Sequence, residues 1–78
     1  MKAAEALRQS GNNLQNIRNA KGFSIEALSV LSCIDEDAIR SMETGNFDVP
    51  PNMVYELAAA LNVDIRQILV DPTTGEVL

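Results

Sequence analysis

The chain has 78 residues, 46% of them hydrophobic, with one Cys, no His and a formal net charge of −5. That describes one small domain, burying only about 60% of its extended-chain surface yet too apolar to be disordered. It lacks the Cys and His ligands of a zinc site, the base of a nucleophilic triad and the paired Cys of a disulfide. With only Phe23, Phe47 and Tyr55 as aromatics, a surface of stacked nucleobases is also excluded.

The opening stretch MKAAEALRQSGNN has no apolar core of a signal peptide, and no segment approaches membrane-spanning length. A soluble, cytoplasmic protein is expected, with no enzymatic role and no cofactor or metal. Charge is uneven. Residues 1–21 carry Lys2, Arg8, Arg18 and Lys21 against Glu5, a net of +3, whereas residues 22–78 set Arg40 and Arg66 against ten acids, a net of −8.

In chain order, AAEALRQ (residues 3–9) is helix-forming, and Ser10-Gly11-Asn12-Asn13 predicts an interruption with a fresh start capped by Asn12 or Asn13. Residues 1–11 are therefore an expected arm or short helix. The first full helix puts Leu14, Ile17 and Arg18 on one face and stops at Gly22. Ser24 caps SIEALSVLS, where Ile25, Leu28 and Leu31 form the inward stripe beside Ala27. Cys33 and Ile34 make a tight turn, Asp35 caps DEDAIRSME with Ile39 and Met42 inward, and Gly45 ends it. After a loop, Pro50-Pro51 mark the entry of a fourth helix, near residues 52–61, with Val54, Leu57, Ala58 and Leu61 inward. Asp64 caps a last helix, IRQILV, which Pro72 ends. Residues 71–78 read as a tail that is mobile or meets a partner.

The expectation is an all-α fold: a compact five-helix domain over residues 12–70. Helices at Ser24–Ser32 and Asp35–Thr44 are joined by almost no connection. So short a link makes them cross steeply and exposes one side of the second, the helix-turn-helix arrangement that can enter a major groove.

From Leu14 to Leu69 the chain resembles the Xre-type, lambda-repressor/Cro-like helix-turn-helix domains. The resemblance is carried in order and without gaps by LQNIRNAKGFS, IEALS, IDEDAIRSMETG, Pro50 and LAAALNVDIRQIL. It implies a buried ion pair between Arg18 and Glu43, and base-reading positions at Glu36, Asp37, Arg40, Ser41 and Thr44. It also exposes departures. Ile25 stands where the family often has a phosphate-binding Gln. Ser29 replaces a small apolar residue at the helix crossing, where it fits by size and can bond back to the preceding turn. Cys33 replaces a Gly of positive φ, at a cost of roughly 1–2 kcal/mol, and is expected to act as a small buried hydrophobe.

The acids at the start of the third helix have a local explanation. Asp35 caps free amides, and Glu36 and Asp37 complement the helix dipole, each by roughly 0.3–1 kcal/mol. They also have a reading chemistry, since a carboxylate accepts from cytosine N4 and Arg40 can grip guanine O6 and N7. Phosphates would then fall to Lys21, Ser24, Asn46 and the amides at the starts of the second and fourth helices, with Lys2 and Arg8 in an N-terminal arm. So few cations predict weak non-specific binding and a shallow salt dependence.

The resemblance thus implies a sequence-specific DNA-binding transcriptional regulator whose partner is double-stranded DNA. It is expected to act as a homodimer, with Ile65, Ile68 and Leu69 as candidate dimer surface. The alternative is a helix-turn-helix module that binds a protein partner (antirepressor, antitoxin-like or adaptor) through its acidic surface.

Overall fold

A computed structural model describes residues 3–47, 49–71 and 74–76. Lys2, Pro72 and the last two residues of the tail lie outside them. The described residues form five helices: α1 (Ala3–Ala20), α2 (Ile25–Ser32), α3 (Glu36–Glu43), α4 (Pro51–Leu61) and α5 (Ile65–Ile68). α1 packs on α3 and α5, α2 on α3 and α4, and α4 on α5.

The expected interruption at residues 10–13 does not occur; α1 runs through it. Three of these poor helix formers are held by tertiary contacts. Ser10 is buried. Gly11 lies so close to the Met42 carbonyl that any Cβ there would collide with it. Asn13 is buried and its amide donates to the carbonyls of Ile68 at 2.9 Å and Val70 at 2.6 Å, while its Oδ1 accepts from Gln9. Helix propensity is a weak prior that such contacts override.

The core is Leu14, Leu28, Ile39, Met42, Leu57, Leu61 and Ile68, all fully buried, joined by Ile34, Phe47, Val54 and Ala58. The apolar periodicity of the third and fourth helices is thus borne out. That of α2 is not: Leu31 is 55% exposed, and the buried residue one turn after Leu28 is Ser32. Ser32 satisfies its own burial by donating to the Leu28 carbonyl at 2.7 Å and accepting from the Ile34 amide, so no polar group is stranded.

Local chemistry sets the ends. Ser24 caps α2 by accepting from the Ala27 amide at 3.0 Å, and Gly22 and Gly45 leave their helices at positive φ. Pro51 opens α4, and Asn62, at φ 56°, closes it in the left-handed region. Asp64 starts α5 with a capping box: its carboxylate accepts from the Arg66 amide while Gln67 accepts from the Asp64 amide. The hydrogen bond from the Arg66 guanidinium, then that from its amide, hold the Asp64 carboxyl below its usual pKa. α5 is one turn long, shorter than expected; Leu69 already donates back to Ile65 and the Val70 carbonyl is taken by Asn13. Among the described residues no helix is long and apolar enough to cross a membrane.

Candidate nucleic-acid interface

Between α2 and α3 lie only Cys33, Ile34 and Asp35. Cys33 takes the left-handed conformation, φ 59° and ψ 28°, and Ile34 drops into the core. Two serines pin this turn. Ser29 Oγ donates forward to the Ile34 carbonyl at 2.5 Å, not back to the preceding turn as expected, and Ser32 Oγ receives the Ile34 amide. Cys33 is exposed, correcting the expectation of a buried one. Cys33→Gly should remove that strain. The expected gain is about 0.5–1 kcal/mol after subtracting the unfolded-chain entropy of glycine, read as a shift of the urea midpoint.

On α3, Ile39, Met42 and Glu43 are buried, and Asp35, Asp37, Arg40 and Thr44 are exposed. Glu36 and Ser41 are half-buried. Asp35 occupies the N-cap position, but its side chain makes no capping hydrogen bond, so its benefit there is that of charge at the positive end of the helix. Arg40 Nη1 donates to Asp37 Oδ1 at 3.0 Å, with side chains 52% and 88% exposed. A pair so exposed contributes only a few tenths of a kcal/mol, so Arg40 can exchange Asp37 for another acceptor.

A second cluster forms at the other end of α3. Thr44 Oγ1 donates to the Ser41 carbonyl at 2.9 Å, Asn46 Nδ2 to Ser41 Oγ at 3.3 Å, and the Asn46 amide to the Ser41 carbonyl at 3.0 Å. Lys21 and Ser24 stand apart from both clusters, at the entry to α2, and both are exposed. The Ser24 oxygen is used by its cap, but its O–H remains a donor.

The angle of α3 is set from behind. Arg18 donates through Nε to Glu43 Oε2 at 2.7 Å and through Nη2 to Oε1 at 2.9 Å, and its Nη1 reaches the Phe23 carbonyl at 2.8 Å. The two side chains are 10% and 4% exposed. The hydrogen bond to Glu43 outweighs desolvation and raises the Arg18 pKa, so the guanidinium stays charged. One residue of α1 thereby fixes both α3 and the link into α2.

This geometry agrees with what is known of similar proteins. A family model described as Helix-turn-helix matches residues 14–68. The chain belongs to the Xre/lambda-repressor-like helix-turn-helix family, whose members are DNA-binding transcription regulators. Its fold is similar to the restriction-modification controller protein C.AhdI from Aeromonas hydrophila, at 34% identity and a TM-score of 0.76 over 80% of this chain and 94% of that one. It is also similar to the hypothetical transcription factor NHTF from Neisseria, at 26% identity and a TM-score of 0.80 over 94% of this chain and 85% of that one. No curated protein sequence matches the chain.

Within this helix-turn-helix domain, the candidate dimer residues divide. Ile68 is fully buried and has no surface to offer. Ile65 and Leu69 are half-buried and line an apolar groove of about 530 Å³ that also includes Leu7, Val54 and Tyr55. Sequence reasoning missed three buried residues: Asn13, which ties α1 to the carbonyls of Ile68 and Val70, Ser32, which pins the turn at Ile34, and Phe47 in the core. Their only signal was a polar or aromatic residue in a segment taken for a break, a helix end or a loop.

Proposed function

We propose that the chain is a sequence-specific transcriptional regulator that reads the DNA major groove with α3 and acts as a dimer. The observation that carries this reading is the exposed side of α3, where Asp37, Arg40 and Thr44 stand out from a helix whose back is held by the Arg18–Glu43 pair. Arg40 supplies a guanine-reading fork, and Asp37 and Glu36 supply acceptors for cytosine N4. The likeness to a restriction-modification controller and to a transcription factor supports the regulatory role. For the dimer, the groove lined by Ile65 and Leu69, with Tyr55 60% exposed, is the surface assigned to the second copy.

A second reading, a helix-turn-helix that binds protein, is favoured by Val30 and Leu31, which are 78% and 55% exposed on α2. Selection from random duplexes at low salt separates the two. The DNA reading expects enriched sequences with two half-sites about 34–36 Å apart. Arg40→Ala is expected to relax preference at one guanine per half-site, a loss of roughly 5- to 150-fold discrimination. No enrichment would favour the protein-binding reading; a lone half-site would remove the dimer.

A further inference from the structure

Arg18 is buried against Glu43, Arg40 lies on Asp37 and Arg66 on Asp64. Among the described residues this leaves Arg8 and Lys21 as exposed cations with no carboxylate partner. They belong to one continuous helical segment, since α1 spans Ala3–Ala20 and the Lys21 amide still donates to the Ile17 carbonyl. Their separation along that axis is about 20 Å at 1.5 Å per residue.

Each cation lies beside one end of the helix-turn-helix. Lys21 precedes Ser24, at the entry to α2. Arg8 lies at the exit of α3: a Cβ built on Gly45 would sit 3.8 Å from Arg8 Cγ. Arg8 is therefore held by a packed helix and is not part of a loose arm. The loop beside it has little else for an anion. The amides of Thr44, Gly45 and Asn46 all donate to carbonyls of α3, so a phosphate at this end is left with side-chain donors, Arg8 and the exposed Asn46 side-chain amide.

We propose that Arg8 is a phosphate-binding residue, and that Arg8 and Lys21 hold the two sugar-phosphate backbones on either side of the groove that α3 enters. The major groove is about 12 Å wide, and the two cations stand beside opposite ends of the helix-turn-helix that would enter it. The proposal rests on the DNA-binding reading. It adds one source of affinity that a segment read as an arm would not have fixed in space.

The test is binding of wild type, Arg8→Gln, Arg8→Lys, Lys21→Ala and the Arg8→Gln/Lys21→Ala pair. Fluorescence anisotropy is measured on an enriched and a scrambled duplex, at about 50–200 mM salt. Arg8→Gln keeps the stem that packs at Gly45. It is expected to lower the log–log salt slope by about 0.9 on both duplexes, narrowing the affinity ratio across that range about 3.5-fold. Arg8→Lys should retain the wild-type slope, and the pair should lose about 1.8 because distant contacts add. If wild type binds and Arg8→Gln keeps its slope, Arg8 is not a phosphate contact and the DNA reading survives. Should Arg8→Gln alter base preference at an unchanged slope, the residue reads bases and the proposal falls. If wild type binds neither duplex, the DNA reading and the proposal fall together.

Discussion

Arg18→Ala or Glu43→Ala is expected to destabilise the domain by about 3–5 kcal/mol, because either change leaves a charge buried without its partner. The geometry makes this larger than for a surface pair. Arg18 and Glu43 are 8% and 7% exposed and meet through two parallel hydrogen bonds. In a domain of this size each kcal/mol moves the melting midpoint by about 4–8 °C, so circular-dichroism melts should fall by well over 10 °C. Replacing both residues together by Met and Leu should restore most of the loss, since a well-packed apolar pair is often neutral or better. A single-site cost below about 1 kcal/mol, the range of exposed ion pairs, would contradict this account of how α3 is held.

Gly11→Ala carries the next largest effect, and its sign is the informative part. In an open helix the change would stabilise by about 0.5–1 kcal/mol, because glycine loses more backbone entropy on folding. Here the added Cβ meets the Met42 carbonyl, which is backbone and cannot rotate away. α1 and α3 must then separate, at an overpacking cost of about 1–3 kcal/mol. Asn12→Ala, on the exposed side of the same helix, serves as control and should be neutral or mildly stabilising. Equilibrium urea unfolding distinguishes the two; a stabilised Gly11→Ala would mean that α1 and α3 are not in such close contact.

These two sites also mark how far the sequence could be read. The family pattern pairs Arg18 with Glu43, and the two do meet. Local propensity reads Gly11 as part of a break, because glycine, serine and asparagine are poor in helices. The reason for Gly11 is a neighbouring helix 31 residues away in sequence, at Met42, and Asn13 is held by the still more distant carbonyls of Ile68 and Val70. The same blindness placed Leu31 inside and Cys33 in the core. An i, i+3 stripe marks a face but not which side of a two-turn helix its neighbours cover. Conversely, Ile39, Met42, Val54, Leu57, Ala58 and Leu61 were legible because their elements bury one regular face.

For the interface, residue types and approximate positions were legible, and relations between side chains were not. Sequence alone placed Asp37, Arg40, Ser41 and Thr44 on the second helix of a helix-turn-helix. It could not show that Arg40 rests on Asp37, or that Asn46 and Thr44 gather on Ser41. Nor could it show Arg8 against Gly45.

By itself, the sequence determined the all-α class, the caps at Ser24 and Asp64, the entry of α4 at Pro51 and the helix-turn-helix itself. All of these depend on residues within a few positions of one another, where backbone stereochemistry and hydrogen bonding are local. Only the tertiary structure decided the continuity of α1, the burial of Ser32 and Phe47, and which cations among the described residues remain free. Each of those depends on what another helix brings within a few ångströms, and packing of that kind is set by the whole chain.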